Sequence, residues 1–227
     1  MQLRPLGASG LHVSRLGLGT MAWGRDVEWV AARDLLADFV DRGGNLVDTA
    51  PAYGAGVAEK MLGKALASGL PRESLVIATK AGFVIRDGKR VIDTSRGALL
   101  SDLEQSLRRL KTDHVDLWQV HAWGDAPLEE TLSALDSAVN RGMARYVGVS
   151  NFVGWQSATA ATWQNADRGR TPISSVQVEY SLLARRAEVE VVGAAQYHQM
   201  GVLAWSGLGR GALTGKYRGG RLPRDSR

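Results

Sequence analysis

The segment LVIATK occupies residues 75–80, with NLVD at 45–48 before it and DLWQVH at 116–121 after it. Each segment has the length and apolar content of a buried β-strand, and each ends on an ionisable residue. These last residues are Asp48, Lys80 and His121. The carboxyl ends of successive parallel strands in a strand–helix repeat open on one side of the sheet. The three segments therefore predict a cluster of ionisable side chains at one mouth of an α/β fold.

The rest of the chain extends this alternation of strands and helices. The predicted strands lie near residues 15–18, 45–48, 75–80, 115–120, 145–149, 175–179 and 201–205. Their starts are about 30 residues apart, as in a series of strand–helix units, which predicts a parallel sheet covered by helices. The opening QLRPLG…GLHVS is interpreted as a short β-hairpin before the first unit.

Helix patterns and helix-end signals fill the intervals between the strands. The predicted helices are 27–41, 57–67, 96–110, 128–141, 153–166 and 187–199. For the first helix we predict Asp26 as the cap and an apolar stripe of Val27, Val30, Ala31, Leu35 and Phe39. For the third we predict Thr94 or Ser95 as the cap and a buried row of Leu99, Leu103, Leu107 and Leu110.

Seven strand–helix units fit either an open doubly wound sheet or a closed eight-stranded barrel. The segment LGLGTMAWG after the first strand offers G-x-G but lacks the third glycine of the dinucleotide-binding motif, which speaks against the open sheet. Polar residues at the ends of many strands favour the barrel. We expect one domain over residues 1–227, since 24.4 kDa is enough for one substantial core.

Composition narrows the classes of function. The absence of cysteine excludes disulfides and thiolate metal sites, and no histidine–carboxylate spacing suggests another metal site. No apolar run is long enough for a membrane span, and the first residues lack the apolar core of a signal peptide. The net charge is +5, but basic residues are dispersed apart from the terminal RGGRLPRDSR, so nucleic acid is not an expected partner. We expect a cytoplasmic protein.

The strand-end residues, together with Tyr53 in the loop after the strand at 45–48, suggest acid–base chemistry. Singly, each has an ordinary explanation: Asp48 as a turn cap, Lys80 as a solvated strand end, and Tyr53 and His121 as loop residues. Together, Lys80 is expected to depress the pKa of the Tyr53 phenol while Asp48 holds the lysine. His121 then orients a carbonyl oxygen that Tyr53 protonates. These side chains supply no hydride, so a cofactor is required.

Several longer segments resemble the aldo-keto reductase superfamily. They are GGNLVDTAPAYGAGVAEKMLGKAL (43–66), LVIATKAG (75–82), SLRRLKTDHVDLWQVH (106–121), YVGVSNF (146–152), VQVEYSLL (176–183) and VLAWSGLGRGALTGKY (202–217). The resemblance runs from residue 1 to about 217. It implies a (β/α)8 TIM barrel that binds NADPH and reduces a small carbonyl compound by direct hydride transfer. It also implies that the family's eighth strand and final helices, with the site for the adenine ribose and its 2′-phosphate, are missing from this chain, and we expect the protein to continue beyond Arg227.

The resemblance assigns roles residue by residue. The catalytic tetrad falls on Asp48, Tyr53, Lys80 and His121. The residues around the nicotinamide, with Asp48, are Gly19, Thr20, Ser150, Asn151, Gln177 and Trp205. The pyrophosphate loop falls on Ser206, Leu208, Gly209, Gly211 and Lys216.

The substrate pocket and the function keep alternatives. The aromatic candidates for the pocket wall are Trp23, Phe83, Trp123 and Trp155. We select Trp23 and Trp123, which would join Tyr53 and His121 in the pocket. Trp155, like Trp163, can equally be explained by packing of a helix against the barrel. The alternative function is a nicotinamide-binding regulatory subunit with little turnover, since potassium-channel β subunits resemble the same family.

Overall fold

A parallel sheet of seven strands forms the centre of the computed structural model. The structure describes residues 1–86 and 88–220; for Arg86 it describes the backbone alone. The strands are, in chain order, the hairpin strands β1 (Leu3–Pro5) and β2 (His12–Ser14), the sheet strands β3 (Leu18–Gly19), β4 (Leu46–Asp48) and β5 (Val76–Ala81), the hairpin strands β6 (Phe83–Arg86) and β7 (Lys89–Ile92), and the sheet strands β8 (Val115–Val120), β9 (Ala144–Ser150), β10 (Ile173–Glu179) and β11 (Gly201–Trp205). Residues 221–227 of the terminal basic run lie outside the described residues.

The strand order decides between the two predicted architectures. The sheet runs β3-β4-β5-β8-β9-β10-β11, so each of its strands pairs with the next sheet strand in the sequence, and every pair is parallel. A doubly wound sheet instead reverses its strand order at a switch point. The sequential order confirms the barrel topology, and the described residues form seven of the eight strands of such a barrel.

The sheet curls strongly. Gln177 on β10 donates a 2.9 Å hydrogen bond from Nε2 to Oδ1 of Asp48 on β4, although β5, β8 and β9 lie between these strands. In a flat sheet, four strand spacings would separate the two by about 19 Å. The contact across the interior therefore requires the curvature of a barrel wall.

Six helices cover the outside of the sheet. They are α1 (Trp29–Asp41), α2 (Val57–Ala67), α3 (Arg96–Leu110), α4 (Leu128–Asn140), α5 (Gly154–Asn165) and α6 (Val191–Tyr197). The six predicted helices are confirmed, with α6 shorter than predicted because a 3-10 turn, Arg186–Glu188, takes the place of its first residues. Among the described residues, none of these helices is both long and apolar enough to cross a membrane.

The predicted face of α1 is wrong except at Phe39, which is buried as predicted. Its buried residues are Ala32, Leu36 and Phe39, whereas Val30 and Leu35 are 58% and 46% exposed. A bridge between Trp23 and Val27 holds the preceding segment outside the helix, so α1 starts two residues later than predicted. Asp26 therefore lies too far ahead to cap it.

The leucine row of α3 is buried as predicted, but neither residue predicted to cap the amino end of this helix does so. Ser95 occupies the N-cap position, yet its hydroxyl donates to Asp93 Oδ1 at 2.6 Å and caps no helical N–H. Thr94 does not cap the helix either, and its carbonyl accepts a hydrogen bond from Thr131. The nearby carboxylate of Asp93 competes successfully for the serine hydroxyl.

The two hairpins lie outside the seven-stranded sheet. The predicted opening hairpin, β1–β2, is confirmed, and Leu6, Leu11 and Val13 in it form a small core cluster with residues of the barrel interior such as Leu46 and Leu117. The second hairpin, β6–β7, follows β5 and was not predicted. One hairpin therefore closes the amino end of the barrel, and the other rises at the carboxyl end of β5. That all of this forms a single domain stays a prediction.

The revised face of α1 predicts very different losses of stability for substitutions at two neighbouring leucines. Leu36 is fully buried, so Leu36→Ala should lower the free energy of unfolding by about 2–5 kcal/mol. Leu35→Ala on the exposed face should change it by about 0.5 kcal/mol or less. Urea unfolding followed by circular dichroism measures both. A larger loss for Leu35→Ala would restore the stripe first predicted.

Candidate active site

Lys80, near the end of β5, is the centre of a polar cluster at the carboxyl end of the barrel. Its side chain is fully buried, and Nζ donates to both carboxylate oxygens of Asp48 at 2.8 Å and to the Thr49 carbonyl at 3.0 Å. Nζ also donates to the Tyr53 hydroxyl oxygen at 3.2 Å. Burial disfavours the charged lysine, but Asp48 and Tyr53 outweigh this effect and raise the pKa of Lys80 above its usual value. The lysine is therefore charged at neutral pH.

Tyr53 reaches this lysine from a tight turn between β4 and α2. The 3-10 turn Tyr53–Gly56 contains left-handed backbone at Ala55 and at Gly56, whose φ is 86°. A side chain at Gly56 would place its Cβ 2.8 Å from Arg109 Cδ, so the position requires glycine on two counts. The turn thus fixes the phenol beside Lys80.

Beneath this turn lies a buried ion pair that the sequence prediction missed. Glu59 on α2 is fully buried. Its carboxylate accepts a 2.6 Å hydrogen bond from Arg109 Nε and a 2.7 Å hydrogen bond from Thr79 Oγ1. The available signal was periodicity: Glu59 shares the buried face of α2 with Leu62 and Gly63, three and four residues later. A charged residue on an apolar stripe indicates a buried partner.

The electrostatic state of Tyr53 corrects one prediction. Burial raises the pKa of the Tyr53 phenol; the Lys80 charge opposes this and the Asp48 charge supports it, with a net rise above the usual 10.0. The expected depression by Lys80 is therefore wrong for the protein without a ligand, because desolvation and the aspartate together exceed the effect of the lysine. Tyr53 holds its proton throughout the neutral range.

His121 lies directly after β8 at the same mouth. The ring contacts Phe83 edge-on, with centroids 4.4 Å apart, and lies 6.2 Å from the Tyr53 ring. Burial, then the charge of Lys80 and then that of Arg90, lower its pKa to about 2. Its Nδ1 is buried and has no hydrogen-bond partner among the described residues. His121 is thus a neutral imidazole.

The side chains predicted around the nicotinamide also lie together. Asn151, in left-handed backbone, donates from Nδ2 to the His121 carbonyl at 2.9 Å and to Ser150 Oγ at 3.1 Å. Its Oδ1 accepts a 3.1 Å bond from Trp205 Nε1. Gln177 donates to Asp48, as described above. Asn151 thereby links the carboxyl ends of β8, β9 and β11 and fixes the indole of Trp205 at the rim.

Gly19 and Thr20 adjoin Asp48 from the neighbouring strand. Thr20 is fully buried, and both its backbone N–H and its hydroxyl donate to the Asp48 carbonyl, at 2.9 and 3.1 Å. A Cβ placed on Gly19 would meet no atom within 4 Å, so open space lies above it. The end of β3 and Thr20 after it thus brace the backbone of Asp48 and leave room at the mouth.

The predicted pyrophosphate loop follows β11 and has an irregular backbone. Ser206, Gly209, Arg210 and Gly211 all adopt left-handed conformations. A Cβ on Gly211 would lie 2.8 Å from Lys216 Nζ, so the lysine ammonium rests against the bare glycine backbone. Leu208, in contrast, is 61% exposed. The loop places one cation over closely approachable backbone.

The two tryptophans selected for the substrate pocket differ in position. Trp23 is 2% exposed and belongs to the main hydrophobic core, so the structure does not place it on a pocket wall. Its bridge to Val27 folds the loop inward and explains this burial. Trp123 is half-buried beside Trp155 and Phe152, with ring centroids 5.2 and 5.1 Å away. Trp155, on α5, is itself 60% exposed, whereas Phe152 is as buried as Trp23. The aromatic side chains left for the mouth are therefore those of Trp123, Trp155 and Phe83.

In the described part of the chain, no group of three or more histidine, aspartate or glutamate side chains is arranged so that it could hold a metal ion.

Comparison with known proteins identifies the class that this fold and site define. The model of the aldo/keto reductase family matches residues 15–227. The chain belongs to this family of oxidoreductases.

Individual relatives support the assignment over most of the chain. The protein named "Uncharacterized oxidoreductase YrpG" of Bacillus subtilis is 40% identical over 227 residues, which cover 95% of this chain and 69% of the relative. The probable voltage-gated potassium channel subunit beta of Arabidopsis thaliana is 36% identical over all of this chain and 70% of its own length. The solved structure of aldo-keto reductase AKR11C1 from Bacillus halodurans (holo form) superposes with a TM-score of 0.83 at 33% identity, covering 99% of this chain and 71% of that one. The chain therefore spans about 70% of the length of each, and the (β/α)8 barrel class is confirmed.

The neutral state of His121 predicts a specific pH dependence of stability. Because its folded pKa lies below its usual value of 6.5, the unfolded chain takes up a proton in acid that the folded chain does not. Stability therefore falls as the pH drops below about 6.5, by at most about 2 kcal/mol at pH 5 from this residue. His121→Gln should lose correspondingly less stability between pH 7 and pH 5 in urea unfolding. Equal losses in both proteins would contradict a buried neutral imidazole.

Proposed function

We propose that this chain carries the active site of an NADPH-dependent reductase that converts aldehydes or ketones to alcohols. The observation that carries the proposal is the buried Lys80, which holds Asp48 on one side and the Tyr53 hydroxyl on the other. That arrangement provides a proton donor with a fixed charge behind it, at the mouth of a barrel whose family reduces carbonyl compounds.

The residues at the rim suit a nicotinamide dinucleotide. The Trp205 ring is held by Asn151 and offers a flat face, while Ser150, Asn151 and Gln177 provide amide and hydroxyl groups for a carboxamide. Gly211 and Lys216 form a cradle in which a Cβ would displace the ammonium group, as suits a pyrophosphate that approaches the backbone closely. When bound, the cofactor supplies the hydride. The preference for NADPH over NADH rests on the resemblance to the family.

The lysine prepares Tyr53 to give up its proton to a carbonyl oxygen. Lys80 donates to the phenol oxygen, so the O–H of Tyr53 is free to donate to a substrate. The raised pKa keeps the phenol protonated before reaction. As the proton leaves, the Lys80 ammonium stabilises the negative charge that develops on the phenol oxygen. Asp48 holds the lysine in place and charged.

His121 contributes as a neutral group. A neutral imidazole can donate one hydrogen bond to a carbonyl oxygen without competing with Tyr53 as an acid. Its lowered pKa ensures this state at all pH values near neutrality. Phe83 fixes the plane of the ring. We therefore propose that His121 orients the substrate and that Trp123 contacts the apolar body of the substrate.

We also propose that the protein acts in the cytoplasm and folds as a single domain.

A second candidate function is a nicotinamide-binding regulatory subunit with little turnover. It is supported by the 36% identity to a probable potassium channel subunit beta. Tight retention of the cofactor with negligible turnover, together with co-purification of a partner protein, would favour it over the reductase.

The reductase proposal predicts that Tyr53→Phe removes activity with little change in structure. The wild-type protein should oxidise NADPH with 4-nitrobenzaldehyde, followed by absorbance at 340 nm. Loss of the general acid should lower kcat by about 10²–10⁴-fold. The matched control is Tyr197→Phe, the same change at a residue that is 85% exposed and far along the chain on α6. Equal rates in wild type and Tyr53→Phe would reject the assigned role.

A further inference from the structure

An arginine on the second hairpin lies beside the mouth of the site. The Cζ atom of Arg90 on β7 lies 3.6 Å from the centroid of the Phe83 ring, and that ring lies 4.4 Å from the His121 ring. These two contacts in series bring the guanidinium within reach of a small molecule bound at His121. The charge of Arg90 also contributes to the lowered pKa of His121 and counteracts the rise at Tyr53, as expected of a cation near both rings.

The stacking of Arg90 leaves its hydrogen-bonding edge available. A guanidinium that lies over an aromatic ring uses its flat face, while its five N–H donors point outward in the plane. This planar fork matches the two oxygens of a carboxylate. Among the described residues Arg90 forms no ion pair, whereas Lys80 is matched by Asp48 and Arg109 by Glu59. Arg90 is thus an oriented cation that the described part of the fold does not neutralise.

The geometry of the hairpin directs Arg90 towards the mouth. The register pairs Phe83 with Ile92 and Ile85 with Arg90, so these four residues share one face of the two-stranded ribbon. Phe83 on this face contacts His121, and a Cβ on Gly124 would lie 3.0 Å from the Ile92 side chain, so the face turns towards the loop after β8. Ile85 and Ile92 are 69% and 42% exposed. The face therefore combines an apolar surface with one cation.

We infer that Arg90 is a specificity residue that binds an anionic group of the substrate, and that the preferred substrates are aldehydes or ketones that carry a carboxylate. This inference rests on the proposed function, because it places the carbonyl at Tyr53 and His121. The carboxylate lies at the Arg90 edge, and the body of the molecule lies along Phe83 and the exposed isoleucines. No other cation of the described hairpin shares this face, since Lys89 lies on the opposite one.

Matched substrates test the inference. The probes are 4-formylbenzoate and 3-formylbenzoate, each paired with the nitrobenzaldehyde of the same substitution, because a nitro group has the shape of a carboxylate without its net charge. The quantity measured is the ratio of kcat/KM for the anionic substrate to that for the neutral one, which cancels effects on hydride transfer common to both.

Arg90→Met should lower this ratio by about 10- to 100-fold for at least one of the two pairs, the loss expected for a charge-assisted bidentate contact. Arg90→Lys should recover part of the ratio, since it keeps the charge but not the planar fork. Lys89→Met is the matched control, because it removes the same charge from the same strand on the opposite face, and it should retain the wild-type ratio. Added salt should lower the ratio in the wild type.

The outcomes separate this inference from the proposed function. An unchanged ratio in Arg90→Met for both pairs, or an equal fall in Lys89→Met, overturns the role of Arg90 even if the protein is a reductase. If the protein reduces none of the probes, the proposed function fails, and quenching of tryptophan fluorescence by benzoate decides the anion site separately. Benzoate binding that is lost in Arg90→Met supports the site; equal binding, or none in the wild type, overturns it.

Discussion

The hydrogen-bonded ion pair of Lys80 and Asp48 is the constraint on which the rest of the site depends. An ammonium group buried to this extent is stable only when an opposite charge and further acceptors compensate for its lost hydration. Asp48 and the Thr49 carbonyl meet that requirement, and both belong to the end of β4. The spacing of β4 and β5 is thereby fixed at the mouth, and Tyr53, which follows β4 by a few residues, is fixed with it.

The barrel separates this polar end from an apolar one. At the amino end, hairpin leucines fill the interior and Asp116 serves a structural purpose, pairing with Arg72 at 2.7 Å and accepting a bond from the Ile77 N–H. At the carboxyl end, strand curvature brings Gln177 and Asp48 together from distant strands. The two ends show why barrels of this kind place chemistry at the ends of strands: the interior packing sets positions that the loops then use.

Sequence reasoning predicted the regular parts of the fold well. Apolar segments located six of the seven sheet strands to within about two residues, whereas the first, predicted near 15–18, is the two-residue strand Leu18–Gly19. Helix patterns located all six helices. The prediction failed where tertiary contacts override local signals. The bridge between Trp23 and Val27 delayed α1 and buried a tryptophan expected in the pocket.

The candidate site was predictable in its composition but not in its energetics. The ends of β4, β5 and β8 supplied Asp48, Lys80 and His121 from spacing alone. The pKa of Tyr53 depends on a balance between burial and two opposed charges, and no sequence pattern reports the depth of burial. The position of Arg90 was not predictable for another reason. The β6–β7 hairpin lacks the usual alternation of apolar and polar residues, so its face towards the mouth becomes visible only in the paired register.

The distribution of charge explains why selectivity should reside at the rim. In the centre of the site, Lys80 and Asp48 neutralise each other, while Tyr53 and His121 are both uncharged near neutral pH. In the proposed reductase, such a neutral centre meets the carbonyl group through hydrogen bonds that are common to all aldehydes and ketones, and it therefore discriminates little among them. Arg90, an oriented cation outside that centre, would add an interaction that depends on the rest of the substrate molecule. The two proposals thus assign different elements to the two tasks: the strand ends to the chemistry of the reaction, and the β6–β7 hairpin to recognition of the rest of the substrate.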